Sequence, residues 1–353
     1  MRVLVLGGGV FLGAAVVDSA LAAGHDVTVF NRGRSRREWP SGVEALVGDR
    51  RGDLAPLRGR RFDAVVDTCG YVPADVRAGI AALQSACERY CFVSSVSAYA
   101  SFAEARESDP LAPADGIADD DRDLAHYGPQ KAACEQAITA AFGARTLVVR
   151  PGLIVGPRDP TGRFSHWPWR ALAGGDILVP DVPVETPLQW IDVRDLADWI
   201  VHALASGRAG AYNAVGPQDG STGNWQALLE GCIDASRRCG AAPLRFVPVG
   251  EAFLLAQGVA PWSELPLWLA SSDPAARDFA RIDAARAVGA GLVTRPLAET
   301  IEAVLDEAPG LLDDDPRRRG KLTRPRESAL IAAWLDAAAA QRGALAVVRG
   351  ERR

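Results

Sequence analysis

Short apolar runs alternate with longer amphipathic stretches through the first half of the chain. Val3–Leu6, Val27–Phe30, Val43–Val47, Ala64–Asp67, Tyr90–Ser94 and Thr146–Arg150 have strand length and strand composition. Leu12–Ala23, Val76–Cys87 and Pro129–Phe142 carry helical periodicity between them. Strands that are apolar on both faces and separated by helices belong to a buried parallel sheet. The pattern therefore predicts an α/β fold: a doubly wound parallel sheet of the Rossmann type, which binds dinucleotides.

Beyond residue 155 the rhythm breaks. Residues 157–187 are rich in Pro, Gly and Trp and predict loops and short elements. A strand at Leu188–Val193, a helix at Val193–Ala205 and a strand at Tyr212–Val215 return to the sheet pattern. We assign residues 1–157 plus about 186–217 to the dinucleotide-binding domain. Residues about 158–185 and 218–325 form a smaller C-terminal substrate-binding cap, expected over the carboxyl edge of the sheet. An Ala-rich run within 326–353 predicts a peripheral helical tail.

The glycine turn comes first among the chemical candidates. Gly7-Gly8-Gly9-Val10-Phe11-Leu12-Gly13 links the first strand to the first helix. Glycines there let backbone N–H groups approach a pyrophosphate, which rests on the helix N-terminus. Gly7, Gly9, Val10, Phe11, Leu12 and Gly13 are thus candidate cofactor contacts. The second strand ends in Asn31-Arg32-Gly33-Arg34-Ser35-Arg36-Arg37, without the carboxylate that usually grips the ribose of NAD. The planar fork of arginine suits a 2′-phosphate. Asn31, Arg32 and Arg34 are therefore placed at the nucleotide, Arg32 foremost, and NADP is preferred over NAD. Asp49 and Arg50 are candidates for the adenine edge. Thr68, Cys69 and Gly70 are expected to pass close to the cofactor ribose.

Tyr127 and Lys131 stand four residues apart and share one helix face. A free phenol titrates near pH 10, and a neighbouring ammonium favours its phenolate. Ser95, at the end of the fifth strand, can hydrogen-bond a substrate oxygen as its charge changes. Ser95, Tyr127 and Lys131 form the predicted catalytic set, suited to moving hydride and proton together. His126 could line the same site.

These residues resemble the extended and atypical short-chain dehydrogenase/reductase superfamily, and within it the NAD(P)-dependent epimerase/dehydratase family. The likeness runs through Gly7–Gly13, Asp67-Thr68-Cys69-Gly70, Ser94–Tyr99, Tyr127 with Lys131, residues 150–157 and residues 189–197. It implies that Tyr127 is the acid/base, that Lys131 tunes it and binds ribose, and that Ser95 polarises a carbonyl. It also implies that Pro151, Gly152 and Leu153 flank the nicotinamide, and homodimers formed through paired long helices are frequent in such families. Three departures sharpen the expectation. Val10 replaces the middle glycine of the turn, as in atypical members related to chloroplast stem-loop RNA-binding proteins. Val96-Ser97 replaces the Asp-Glu pair used for elimination, which disfavours dehydration. Leu153 replaces an Asn that contacts nucleotide sugars in many members.

Composition narrows the classes further. The 353 residues carry a net charge of −5, which argues against a nucleic-acid partner. No apolar stretch approaches a membrane span. Six cysteines without a Cys-x-x-Cys pair, and four scattered histidines, predict reduced thiols in a cytoplasmic protein with no metal site. Nine tryptophans either wall a flat apolar substrate or pack the cap core. Arg158 and Arg163 are candidates for an anionic group. The expected activity is hydride transfer between a nicotinamide and a carbonyl or alcohol of a small molecule. Epimerisation of a sugar or nucleotide sugar is the alternative, and a non-catalytic NAD(P)-binding regulator or RNA binder is the second.

Overall fold

A computed structural model describes residues 1–34, 38–216, 223–273, 278–308 and 315–350, with side chains described as far as residue 340. The elements follow in chain order: β1 (Arg2–Leu6), α1 (Phe11–Ala22), β2 (Asp26–Asn31), β3 (Val43–Val47), β4 (Phe62–Asp67), α2 (Pro73–Leu83), β5 (Cys87–Val93), α3 (Tyr127–Phe142), β6 (Thr146–Pro151) and β7 (Leu153–Val155). Then come α4 (His166–Leu172), β8 (Gly175–Pro180), β9 (Trp190–Asp192), α5 (Val193–Ala205), β10 (Gly210–Ala214), α6 (Trp225–Arg238), β11 (Leu244–Val249), α7 (Glu251–Ala256), α8 (Ala285–Gly289), α9 (Leu297–Leu305) and α10 (Arg324–Gly350). Two compact units result. The first comprises Met1–Arg158, Gln189–Gly223 and Arg277–Pro296; the second comprises Asp159–Leu188, Asn224–Ala276 and Leu297–Arg353.

The first unit is built on a seven-stranded sheet in the order β10-β6-β5-β4-β1-β2-β3. Every pairing in it is parallel. Strand side chains alternate between the faces, as the two-residue period demands. Val3 and Val5 enter a core with Val16 and Val17 of α1 and Leu196 and Ile200 of α5. Leu4 and Leu6 face the other way, into a core with Val76 and Leu83 of α2 and Cys134 and Ile138 of α3. Each such fully buried aliphatic side chain contributes roughly 1.5–3 kcal/mol relative to exposure. The strand order reverses between β1 and β4. In this architecture a ligand crevice opens at that reversal, beyond the carboxyl ends of the strands. The turns after β1 and after β4 are the two glycine-bearing segments singled out in the sequence.

Residues 277–296, assigned to the cap on sequence, cluster with this sheet. Polar side chains hold them there. Asn213 Nδ2 donates to the Asp283 carbonyl at 2.9 Å, Gln189 Nε2 donates to the Ile282 carbonyl at 3.0 Å, and Arg295 Nε meets Asp195 Oδ1 at 2.6 Å.

The second unit pairs β8 with β11 in parallel. Its core is aromatic: Trp167 and Trp225 meet edge to face with centroids 5.1 Å apart, and Trp169 Nε1 donates to the Val304 carbonyl at 3.0 Å. The start of α10 is anchored within this unit. Glu327 is buried and accepts from Arg170 Nε at 2.6 Å and from the Leu178 amide at 3.0 Å. Among the described residues no helix is long and apolar enough to cross a membrane.

Candidate active site

The turn between β1 and α1 is crowded in a way that only glycine satisfies. Gly7 has φ +92°, and a Cβ there would lie 2.8 Å from Cys69 Cβ. At Gly13 an added Cβ would lie 2.7 Å from the Gly7 carbonyl oxygen and 3.0 Å from Thr68 Oγ1. The turns after β1 and β4 therefore touch. Thr68 completes the join, its hydroxyl donating to the Leu6 carbonyl at 2.9 Å. Gly9 continues the turn, its amide donating to the Gly7 carbonyl at 2.7 Å. Phe11 adopts φ 42°, a left-handed conformation that costs a non-glycine residue about 1–3 kcal/mol and concentrates at functional turns. Leu12 is buried behind it. The first turn of α1 holds no acidic residue and no side-chain cap, so its N–H groups are left for an anion. Val10 fits without strain: its backbone is extended, φ −139° and ψ 144°, and the residue is 47% exposed. These features suit a dinucleotide pyrophosphate.

The nucleotide end divides the predicted residues. Asn31 Oδ1 accepts from the Gly33 amide at 2.7 Å and turns the chain out of β2. Arg32 and Arg34 are exposed at that exit, and residues 31–34 include no carboxylate. Arg36 and Arg37 lie outside the described residues. Asp49 accepts from the Arg51 amide at 3.0 Å. Arg50 does not reach outward to an adenine. Its side chain is 10% exposed and forks across Asp67, with Nη1–Oδ1 at 2.8 Å and Nη2–Oδ2 at 2.9 Å. Asp67 ends β4 in full burial, and a lone carboxylate there would be costly, so the cation is drawn inward.

The catalytic candidates lie on the segment just after β5 and on the start of α3, which pack together at Ser97 and Gly128. Ser95 is buried, and its Oγ accepts from the Ser97 amide at 3.1 Å, which leaves its hydroxyl hydrogen to donate elsewhere. Tyr127 opens α3 and is partly exposed. Gly128, which sequence reasoning missed, sets how closely the two segments approach: a methyl group there would overlap the Ser97 carbonyl oxygen. The signal was present as a glycine in the first turn of a helix, a position that costs stability unless close packing requires it. Lys131 lies one turn further on, 3% exposed. Its Nζ donates to the carbonyls of Gly70 and Val93, both at 2.7 Å, and sits 4.3 Å from the centroid of the Phe92 ring. Burial pulls its pKa down to about 8, against partial support from Cys134, Asp67 and Glu135. Lys131 thus ties α3 to the end of β5 and to the turn after β4.

Pro151 closes β6, Gly152 follows with its Cα facing Val215, and Leu153 is buried at the start of β7. Beneath them Arg150 forms a buried pair with Glu135 at 2.7 Å and donates to the Tyr99 hydroxyl at 2.8 Å. His126 pairs with Asp121 at 2.7 Å, and Gln130 Nε2 bonds the carbonyls of Ala118 and Asp121, bracing the segment that precedes Tyr127. Among the anion candidates, Arg158 meets Asp18 at 3.0 Å, while Arg163 stacks 5.1 Å from the Trp262 ring centroid. Trp167, Trp169, Trp225 and Trp268 are core residues.

A parallel sheet wound in this order, with a glycine turn at its switch point and a Ser, Tyr and Lys set beside it, defines the class of nicotinamide-dependent short-chain enzymes. The profile of the NAD dependent epimerase/dehydratase family matches residues 74–215. The chain is 31% identical over 235 residues to 2-alkyl-3-oxoalkanoate reductase of Stenotrophomonas maltophilia (strain K279a), covering 61% of this chain and 69% of that protein. It is also 31% identical over 221 residues to 2'-dehydrokanamycin reductase of Streptomyces kanamyceticus, a match that spans 59% of each. The chain belongs to the NAD dependent epimerase/dehydratase family. Among solved structures, the NAD complex of UDP-glucose 4-epimerase from Thermus thermophilus shares the fold, with a TM-score of 0.61 and 22% identity over 88% of this chain and 100% of that one.

Proposed function

We propose that this chain is an NADPH-preferring reductase of a carbonyl on a small, non-nucleotide molecule, working reversibly on the corresponding alcohol. The observation that carries the reading is the way α3 meets β5. Gly128 lets the first turn of α3, which begins at Tyr127, pack on the Ser97 backbone two residues after Ser95, while Lys131 spans from β5 to the turn after β4. Two relatives at 31% identity bear names of reductases, which favours reduction over epimerisation. Exposed Arg32 and Arg34, at a strand end without a carboxylate, support the preference for a 2′-phosphate.

When bound, the nicotinamide supplies the hydride that adds to the carbonyl carbon. Tyr127 passes its phenolic proton to the carbonyl oxygen as charge develops there. The Ser95 hydroxyl donates to the same oxygen and holds it in line. Lys131 is charged below about pH 8, and its field favours the phenolate left on Tyr127. The Gly7–Gly13 turn and the α1 N-terminus hold the pyrophosphate.

The test is fluorescence titration with NADPH and NADH, followed by turnover on a panel of ketones and aldehydes. Tyr127→Phe should cut turnover by about 10²–10⁴-fold while NADPH binding stays within a few fold. If no carbonyl in the panel oxidises bound NADPH, or if the Tyr127-dependent turnover is confined to the sugar-nucleotide substrates of epimerases, the proposal is wrong.

A further inference from the structure

Arg50, a candidate for the adenine edge on sequence, turns its side chain onto the segment that follows β4. We propose that Arg50 is a positioning residue: its guanidinium, locked across the Asp67 carboxylate, fixes the Thr68–Gly70 turn and through it the ammonium of Lys131. This inference rests on the cofactor-dependent function proposed above.

The donor count carries the argument. A guanidinium has five N–H groups. Arg50 Nε donates to the Asp75 carbonyl at 3.2 Å, Nη1 donates to Asp67 Oδ1 at 2.8 Å and to Cys69 Sγ at 3.2 Å, and Nη2 donates to Asp67 Oδ2 at 2.9 Å. Four of the five are committed inside the protein, too many for a bidentate hold on a base or phosphate. The carboxylate is equally saturated. Besides Arg50, Oδ1 accepts from the Cys69 amide at 3.1 Å and Oδ2 from the Tyr90 hydroxyl at 2.8 Å. Burial alone would push the Asp67 carboxyl up, yet the charge and hydrogen bonds of Arg50 hold it below its ordinary value.

What this pair fixes is the turn that serves the site. Cys69, held by both partners, lies where a Cβ on Gly7 would collide with it. Gly70 offers its carbonyl to Lys131 Nζ at 2.7 Å. The pair also acts through space, because Asp67 supports the charge on Lys131 and Arg50 opposes it. The other groups around Lys131 include the Phe92 ring 4.3 Å away, Tyr71, whose ring centroid is 5.5 Å away, and Tyr127, Cys134 and Glu135 on its own helix. Burial pushes the Cys134 thiol up to about 12, so it stays neutral, and Glu135 is closed on Arg150.

The experiment measures NADPH affinity from pH 6 to pH 10, with urea unfolding alongside, for Arg50→Met, Asp67→Asn and the double variant. Either single change should weaken NADPH by about tenfold or more, because the two residues are tightly coupled. Asp67→Asn leaves the Arg50 charge unopposed and should move the alkaline limb of binding, set by Lys131, to lower pH. Arg50→Met should not move it down. The double variant keeps the site neutral, and the amide oxygen that Asp67→Asn retains can still accept from the Cys69 amide and hold the turn, so affinity should come to within about threefold of wild type and the limb should return to its place. A double variant that binds as weakly as Arg50→Met, with the limb unmoved in Asp67→Asn, overturns the proposal and makes Arg50 a nucleotide ligand. Should Arg50→Met fail to fold, a folded double variant supports the proposal, and a double variant that also fails to fold overturns it. If wild type binds neither nucleotide, the function proposed above falls instead. The pairing is then read from urea unfolding alone: stability restored in the double variant supports it, and additive losses refute it.

Discussion

Lys131→Met removes a charge that the fold holds at a cost. The residue is 3% exposed, and burial lowers its pKa from 10.5 to about 8. That difference of about 2.5 units corresponds to ~3 kcal/mol at 1.36 kcal/mol per unit. The sign follows from proton counting. Below about pH 8 the ammonium is charged in both folded and unfolded chains, and the folded chain carries the whole penalty. Between about pH 8 and 10.5 the unfolded chain keeps the proton and the folded chain releases it, so folding gains stability as the pH rises. Methionine abolishes the penalty but leaves the carbonyls of Gly70 and Val93 without their donor, at ~1–3 kcal/mol each. At pH 7 the two effects largely offset, so the variant should lie within ~2 kcal/mol of wild type. At pH 10.5 the neutral amine still donates to both carbonyls, and wild type should have gained ~3 kcal/mol on the variant. Urea unfolding of both proteins without cofactor, at steps from pH 7 to 10.5, measures this. Cysteine and tyrosine titrations away from Lys131 occur in both proteins and cancel in the difference. A difference that stays flat across the window would show that the ammonium is not desolvated as its burial requires.

Arg32→Ala should weaken NADPH by about tenfold or more and NADH by much less, since the lost fork serves only the 2′-phosphate; equal losses in the two titrations would remove that assignment. Gly128→Ala should push the start of α3 off the Ser97 carbonyl, and a displacement near 1 Å should lower kcat by about 100-fold with NADPH affinity little changed. Unchanged turnover would mean that the approach of α3 to β5 does not set the catalytic geometry. Val10→Gly should destabilise by ~0.5–1 kcal/mol through the unfolded chain, because the native backbone at Val10 is already extended. It should leave NADPH affinity within about threefold; much tighter binding would mean that the valine side chain stands in the cofactor's way.

The sheet was legible in the sequence because its strands are apolar on both faces and interrupted by helices, a pattern that few other architectures produce. Its edges were blurred. The helix expected at Val76–Cys87 ends at Leu83, because Cys87 already pairs with Phe62 in the sheet. β8 lies in the stretch expected to hold loops and short elements, where Gly174, Gly175 and Pro180 bracket only a few apolar residues. It forms because Leu244–Val249, more than sixty residues later, supplies its partner. Residues 277–296 joined the sheet unit through single polar side chains such as Asn213 and Gln189, which leave no periodic trace.

The site divides along the same line. The glycine turn was readable because steric demand at Gly7 and Gly13 is local: it depends on the conformation of a few residues and on the turn that follows β4. Tyr127 and Lys131 were readable because helical spacing alone puts them on one face. The pairing of Arg50 was harder to read because residue type gives a side chain's capacity, and its partner decides the use. Arg32 and Arg50 carry the same fork after neighbouring strands of the sheet. One leaves β2 into solvent where residues 31–34 offer no acid. The other stands within reach of a carboxylate that closes an apolar strand. That second fact was open to inference, since Asp67 ends the run Phe62–Asp67 and a strand buried on both faces cannot carry a charge alone. A buried acid calls for a cation, and the candidates are the arginines on turns at the same end of the sheet. Arg50 answers it from 17 residues away, and four of its five N–H groups are then held inside the protein.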